Sequence, residues 1–200
     1  MPRIECVSGG LYGTNCYLVR AERERSCVVI DPGCGARPVA ERLQAAGLQL
    51  AAIFLTHGHF DHVTGVKELQ GMYRCPVYLH AAELGLPQAL TAGPLEPTDF
   101  WDDGTEVEAA GLRFRVLHTP GHTPGSVCLL TQDALFSGDT LFAGSCGRTD
   151  LAGGDPAQMA ASLARLRALP YDGAVYPGHE RATRLDTERA CNPYLRGMLE

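Results

Sequence analysis

The sequence has no long hydrophobic run and no run of basic residues. None of its 200 residues belongs to a stretch approaching the roughly 20 apolar residues that a membrane helix needs, and the N-terminus, MPRIECVSGG, lacks the apolar core of a secretory signal. The 23 acidic residues outnumber the 17 basic ones, giving a formal net charge of −6. We therefore expect a cytoplasmic protein whose partners include neither a membrane nor a nucleic acid.

The eight cysteines include no C-x-x-C pair, the spacing typical of zinc knuckles and thioredoxin-like sites. Disulfide frameworks belong to small secreted domains, whereas this chain is large enough to bury an ordinary core, so we expect free thiols. Most would be small packing residues. Cys146, which is flanked by glycine and stands close to Arg148, is either such a residue or a reactive thiol.

The hydrophobic pattern predicts strands that alternate with helices in one domain spanning residues 1–200. Short apolar or β-branched runs predict strands at 15–19, 26–30, 51–55, 77–79, 112–118, 127–130, 134–136 and 174–176. Helices are predicted at 38–46, 63–69 and 157–169, and a loop at 85–103. Several neighbouring strands are joined by turns too short for a crossover helix, which indicates mixed sheets in an α/β fold.

The segment THGHFDH, at residues 56–62, places four potential metal ligands after a predicted strand. His57 and His59 are two positions apart, so on extended backbone both side chains project to one side and can share an ion. Asp61 and His62 follow and can serve a second ion. An isolated H-x-H pair also occurs by chance, but four ligand-type residues within six positions form a much more specific signal.

Three further candidate ligands follow predicted strands and are preceded by glycine. They are His122 in TPGHTPGS, Asp139 in FSGDTLF and His179 in YPGHE. Taken singly, each is also compatible with a role in a turn or as a cap. Together with THGHFDH they indicate a metal site, because glycine allows the backbone to approach a crowded centre closely.

These motifs resemble those of the metallo-β-lactamase superfamily over nearly the whole chain. The signature T-H-x-H-x-D-H stands intact, and the later histidine, aspartate and histidine follow in the family's order. The resemblance implies an αββα sandwich of two mixed sheets flanked by helices, with Asp61 and Asp139 in the catalytic centre. It also implies two ions, one held by His57, His59 and His122, the other by Asp61, His62 and His179, with Asp139 bridging them.

The implied donors are imidazole nitrogens and carboxylate oxygens. Such a set suits zinc, which is the metal we expect, and it also accommodates iron or manganese. Two divalent ions close together would lower the pKa of a shared water from 15.7 toward about 7 and polarise a substrate carbonyl. The resemblance therefore implies a binuclear metal-dependent hydrolase.

The segment FSGDTLFAGSCGRTDLAGGD and the motif YPGHE are similar to short bacterial members of the glyoxalase II branch, which hydrolyse S-lactoylglutathione and related thioesters. True β-lactamases generally have cysteine where Asp139 stands, and flavo-diiron proteins have glutamate in place of His59. The resemblance thus predicts a hydroxyacylglutathione hydrolase-like thioesterase, whose partner is a small thioester such as a glutathione conjugate.

Arg148 stands where glyoxalase II enzymes carry a basic residue toward the glutathione carboxylate, although a surface arginine without this role is the alternative. The aromatic residues that those enzymes place near glutathione are replaced by Asp150 and Arg181. Only 21 residues follow His179, so the C-terminal helical domain of full-length glyoxalase II is not expected. Without that domain we expect a more open metal site, which would admit a thiol carrier other than glutathione.

Other functions remain to be weighed against thioester hydrolysis. Persulfide dioxygenases with a single iron share the histidine signature and a segment similar to Ser145–Asp150, and they are the main alternative. Nuclease activity is disfavoured by the acidic balance, and a non-catalytic role by the retention of every ligand. Asp31, after a predicted strand, either orients a ligand histidine or forms a turn. The oligomeric state is left open.

Overall fold

Two six-stranded sheets lie at the centre of the fold, which a computed structural model describes for residues 1–91 and 93–197. The first sheet consists of β1 (Pro2–Gly9), β2 (Thr14–Ala21), β3 (Ser26–Ile30), β4 (Gln49–Phe54), β5 (Val77–Leu79) and β6 (Asp99–Phe100). These strands follow one another across the sheet, antiparallel from β1 to β3 and parallel from β3 to β6. Parallel neighbours need crossover connections, which here run over the outer face.

The second sheet comes mainly from the later half of the chain. Its strands are β7 (Glu106–Ala109), β8 (Leu112–His118), β9 (Val127–Thr131), β10 (Ala134–Gly138), β13 (Ala174–Pro177) and β14 (Thr183–Arg184). They are ordered β14-β13-β10-β9-β8-β7, with β10 parallel to β13 and the other neighbours antiparallel. A separate ribbon pairs β11 (Leu141–Phe142) with β12 (Ser145–Cys146).

The longer helices cover the outer faces of the two sheets. The helices are α1 (Ala36–Ala46), α2 (Phe60–Val63), α3 (Val66–Tyr73), α4 (Gln88–Thr91), α5 (Pro156–Arg167), α6 (Leu185–Cys191) and a 3₁₀ helix (Ala81–Gly85). Asp155 caps α5 by accepting hydrogen bonds from the amides of Ala157 and Gln158, and proline follows at the first helical position. Gly47, with φ of 62°, ends α1 in the left-handed conformation.

Side chains of the central strands are buried on both faces. In β2, Cys16 and Leu18 pack toward the helices of the first sheet, whereas Tyr17 and Val19 pack between the sheets. Successive side chains of a strand point to opposite faces, so a strand covered on both sides reads as a continuous apolar run. A third cluster joins the second sheet to α5 and α6. The layers are therefore helices, sheet, sheet and helices, which confirms the αββα expectation.

All eight predicted strands are present, but two predictions from periodicity were wrong in detail. The helix predicted at 63–69 is two helices, because Gly65 lies against the Pro32 carbonyl, where a Cβ would be 2.7 Å from the oxygen. The predicted loop at 85–103 contains α4 and β6, and Ala92 within it lies outside the described residues.

The eight cysteines are free, as expected. No helix in 1–91 or 93–197 is long and apolar enough to cross a membrane.

Candidate metal centre

Four segments, each following a strand, bring the seven predicted ligands together. The first segment leaves β4 and carries His57 and His59 in a loop and Asp61 and His62 in α2. The loops after β8, β10 and β13 carry the other three, namely His122, Asp139 and His179. Because β4 belongs to one sheet and the later strands to the other, the ligands meet where the two sheets face each other.

The first group consists of three buried histidines. Potential ligand atoms of His57, His59 and His122 lie within 4.8 Å of one another. Nδ1 of His59 is 2.8 Å from Nε2 of His122, so these two nitrogens point at the same small volume. The Asp139 carboxylate borders this group, with its Oδ2 3.6 Å from His122 Nε2.

The second group consists of Asp61, His62 and His179, whose potential ligand atoms also lie within 4.8 Å of one another. Oδ2 of Asp61 is 3.2 Å from His179 Nε2. Asp139 reaches this group as well, because its Oδ2 is 3.5 Å from His179 Nε2 and its Oδ1 is 3.4 Å from His62 Nε2. One carboxylate therefore contacts both groups.

Several polar atoms of the centre are buried without a hydrogen-bond partner among the described residues. They are Nε2 of His57, Nε2 of His59 and Oδ1 of Asp139. A buried polar atom left unpaired costs about 1–3 kcal/mol, so such atoms are rare unless something else satisfies them. Nitrogen and carboxylate donors that converge from several loops fit a divalent metal ion.

The electrostatics of the first group keep its imidazoles neutral. Burial, with the neighbouring His122, lowers the pKa of His59 to about 4. Burial likewise lowers the pKa values of His57 and His122. A neutral imidazole offers a lone pair, which is the form that binds a metal.

The second group carries charge in the protein alone. Burial lowers the pKa of His62, but the carboxylates of Asp139 and Asp31 raise it by more, and the net shift is upward. For His179, burial is likewise outweighed by Asp61 and Asp139, and its pKa is raised. Burial raises the pKa of Asp61, yet its hydrogen bond with His179 and the charge on His62 bring that pKa down to about 2. Protons here occupy positions that a metal would take.

Polar groups behind the ligands fix the orientation of the rings. Oδ2 of Asp31 lies 3.0 Å from Nδ1 of His62, and Oδ1 accepts the amide of Thr56 at 2.8 Å. The backbone carbonyl of Arg148 lies 2.8 Å from Nδ1 of His122. The Thr14 hydroxyl donates to Asp61 at 3.2 Å. Of its two sequence interpretations, Asp31 therefore has the contact that orients a histidine.

The loop that carries His179 is held by β2 of the opposite sheet. The side-chain amide of Asn15 donates to the carbonyls of Pro177 at 3.1 Å and Glu180 at 2.7 Å. The hydroxyl of Tyr17 donates to the same Pro177 carbonyl at 2.7 Å. Glu180 has a φ of 65°, an uncommon conformation for a residue with a side chain, so these bonds stabilise a turn that is unfavourable in isolation. Sequence analysis did not identify either β2 residue, since both look like ordinary strand positions.

Glu83 is a further residue that sequence analysis missed. It is fully buried in the 3₁₀ helix after β5, and its carboxylate accepts backbone amides from Gly58 and Gly125. Burial raises the pKa of Glu83, although hydrogen bonds from Thr123 and from the two amides favour the charged form. In the sequence HAAELGL nothing distinguishes this glutamate from a surface residue.

The centre is reached from the side of Asp61 and His179, whose side chains are 15% and 21% exposed. Tyr12, at the β1–β2 turn, packs on Phe60 near this side, and Phe142 stands edge-on to His179.

The predicted substrate residue Arg148 is exposed, and its guanidinium is held in a bidentate ion pair by Asp150, with two 2.7 Å bonds. Cys146 is half-buried, and burial raises the pKa of its thiol.

Comparison with known proteins identifies the family. The family model of the metallo-beta-lactamase superfamily matches residues 9–179. The chain therefore belongs to this superfamily, whose members bind divalent metals. The histidine and aspartate groups described above lie within the matched region.

Two relatives illustrate the range of similar proteins. An uncharacterized protein of Mycobacterium bovis is 36% identical, and the match covers 94% of this chain and 96% of that protein. A hydroxyacylglutathione hydrolase of Aeromonas hydrophila is 46% identical over 82% of this chain. The match covers 61% of the length of the Aeromonas enzyme.

Solved structures with the same fold include proteins with different names. BLEG-1 B3 metallo-beta-lactamase superposes with a TM-score of 0.88 at 35% identity, covering 96% of this chain and 99% of that chain. TTHA1623 in a di-iron-bound form superposes with a TM-score of 0.84 at 39% identity, covering 95% of this chain and 99% of that chain. ETHE1 from Myxococcus xanthus superposes with a TM-score of 0.83 at 32% identity, covering 98% of this chain and 85% of that chain.

Proposed function

We propose that this member of the metallo-beta-lactamase superfamily is a binuclear metal-dependent hydrolase of thioesters such as S-lactoylglutathione. The observation that carries the proposal is the pair of three-residue groups that share the Asp139 carboxylate. The 46% identity to a hydroxyacylglutathione hydrolase supports the thioester class, and it extends over 82% of this chain.

We assign six of the ligands to two ions and the seventh, Asp139, to both. Ligand atoms of His57, His62 and Asp139 also lie within 4.8 Å of one another, so the two groups adjoin. One ion would be held by His57, His59 and His122, the other by Asp61, His62 and His179, with Asp139 serving both. When bound, two such ions supply a hydroxide nucleophile at neutral pH and polarise the substrate carbonyl. Zinc fits this donor set, and so does iron, the metal named for TTHA1623.

The protein's own residues would position the ligands and the substrate. Asp31 contacts the His62 ring, the Thr56 hydroxyl lies 3.1 Å from Nδ1 of His57, and the Arg148 carbonyl contacts His122, so these groups would keep the centre preorganised. A thioester would enter on the side where Asp61 and His179 are exposed. Its thiolate leaves without needing a proton, so no general acid is required from the chain. The exposed guanidinium of Arg148 would bind a carboxylate of the thiol carrier.

The test is hydrolysis of S-lactoylglutathione by protein loaded with two equivalents of zinc, followed by the loss of thioester absorbance. Chelated protein is the blank, and a chromogenic β-lactam is run in parallel because of the similarity to BLEG-1. Metal-dependent hydrolysis of the thioester, faster than that of the β-lactam, is the expected result. A fully metallated protein that leaves this and other acyl-glutathione thioesters intact would overturn the proposal.

The similarity to ETHE1 from Myxococcus xanthus favours a second candidate, a mononuclear iron persulfide dioxygenase. The segment at Ser145–Asp150 that resembles those enzymes is compatible with both activities. The two candidates differ in stoichiometry and in co-substrate. Iron-loaded protein incubated with glutathione persulfide in an oxygen electrode would consume oxygen if this candidate is correct, and one iron per chain would suffice.

A further inference from the structure

We propose that Glu83 is a positioning residue for the first group, His57, His59 and His122, and that it sets the metal affinity of this group and not of the second. The inference rests on the metal centre assigned above and adds a residue that contacts none of the seven ligand side chains. With such a residue, the metal affinity of the first group can change while that of the second stays the same.

The carboxylate of Glu83 joins two loops that come from different sheets. Its Oε2 accepts the amide of Gly58 at 2.6 Å, and its Oε1 accepts the amide of Gly125 at 2.7 Å. Gly58 lies between His57 and His59, so its peptide determines the direction in which both imidazoles leave the backbone. Gly125 lies three residues after His122 in the tight loop between β8 and β9. One side chain thus fixes the backbone of all three histidines.

The two glycines leave the space that the carboxylate needs. A Cβ at Gly125 would lie 2.8 Å from Oε1 of Glu83, and one at Gly58 would lie 3.1 Å from Oε2. Both carboxylate oxygens act as acceptors, which is the hydrogen-bonding pattern of an ionised side chain. A glutamine can supply only one of these acceptors, and its NH₂ group would face an amide that also needs to donate.

A second buried carboxylate, Asp31, supports both groups. Its Oδ2 lies 3.0 Å from Nδ1 of His62 and accepts the hydroxyl of Thr56, whose oxygen lies 3.1 Å from Nδ1 of His57 in the first group. Glu83 accepts only the amides of Gly58 and Gly125, which lie beside histidines of the first group. Loss of Glu83 is therefore expected to weaken mainly the first group, whereas loss of Asp31 is expected to weaken both.

The experiment is cobalt(II) titration of metal-free Glu83→Gln, followed by the visible absorption of the bound ion. The variants His122→Ala and His179→Ala identify which binding step belongs to which group. We expect Glu83→Gln to weaken the first group by about 10- to 100-fold, the usual effect of removing a group that orients a ligand, and to change the second group by less than about threefold. Asp31→Asn, by contrast, should weaken both groups.

A backbone variant tests the same contact without removing the glutamate. Gly125→Ala should displace the carboxylate and weaken the first group selectively. The matched control is Gly71→Ala in α3, where no atom lies within 4 Å of an added Cβ, and it should leave both affinities unchanged. In metal-free Glu83→Gln, the amides of Gly58 and Gly125 should also exchange with solvent faster than in the parent protein. These readings hold for variants whose circular dichroism matches the parent.

The titration uses no substrate, so its outcome is independent of the thioesterase proposal. Selective weakening in a protein that hydrolyses no thioester would uphold the role of Glu83 and refute only the activity. Equal weakening of both groups by Glu83→Gln and Gly125→Ala would indicate general destabilisation and overturn the inference. Unchanged affinity of the first group in both variants would overturn it too.

Discussion

Nδ1 of His62 lies 3.0 Å from Oδ2 of Asp31, a residue 31 positions earlier in the chain. With Asp139 on the other side of the ring, this contact raises the pKa of His62 against the opposing effect of burial. Burial, together with neighbouring imidazoles, lowers the pKa values of the histidines of the first group. The two halves of the centre therefore differ in charge before any metal binds.

Metal uptake by the second group should release more protons near pH 7 than uptake by the first. The raised pKa values of His62 and His179 mean that these rings hold protons that a metal must displace, so the affinity of this group should rise with pH until the raised pKa is passed. His59, with a pKa of about 4, is already neutral. Calorimetric zinc titration of His122→Ala and His179→Ala in buffers of different ionisation enthalpy measures the released protons. Equal release from both groups would contradict the assignment.

Asp139→Ala should abolish activity and reduce the bound metal below two ions per chain. The carboxylate contacts both groups, so its removal takes a ligand from each. We expect kcat/KM to fall by at least about 100-fold, because removing a ligand should cost more than removing a group that only orients one. Mass spectrometry of the native protein measures the metal content. Asp133→Ala, at an exposed turn, is the control and should retain both properties. Full metal occupancy in Asp139→Ala would argue against the shared carboxylate.

Tyr17→Phe should lower the free energy of unfolding by about 0.5–1.5 kcal/mol, because the Pro177 carbonyl loses its 2.7 Å hydrogen bond from Tyr17 but keeps the one from Asn15. Urea unfolding monitored by circular dichroism measures the change, and the m-value should stay constant. Tyr12→Phe removes a hydroxyl from a side chain that is 60% exposed and serves as the matched control. A similar loss in both variants would exclude the buried hydrogen bond as the cause.

Arg148→Ala should raise KM for S-lactoylglutathione several-fold with little change in kcat, because it removes uniform binding of a carboxylate. Asp150→Ala should do the reverse and lower KM, since the guanidinium is then released from its ion pair. A thioester of an uncharged thiol serves as the control substrate and should respond to neither variant. If Asp150→Ala raises KM for the glutathione thioester, the aspartate supports binding and the predicted competition is wrong.

Much of the fold could be predicted because the buried strands leave a strong local pattern. The continuous apolar run within 26–30 follows from a strand that packs on both faces, and the alternation at the start of 112–118 follows from a strand with one exposed face. These two ranges match β3 and β8. The short elements α4 and β6 were missed because two to four residues carry no period. The break between α2 and α3 depends on the distant Pro32 carbonyl, which no local pattern reveals.

The sequence by itself determined the seven candidate ligands, because each lies in a short motif whose residue types and glycines are visible in one dimension. Only the tertiary structure decided which groups support them. Glu83, Asn15 and Tyr17 act through hydrogen bonds to loops 25 to 165 positions away, and such contacts arise from the packing of two sheets. The spacing of residues within a sequence motif can indicate that their side chains suit a metal site. The charge of each imidazole depends on burial and on neighbours that the chain brings together only when it folds.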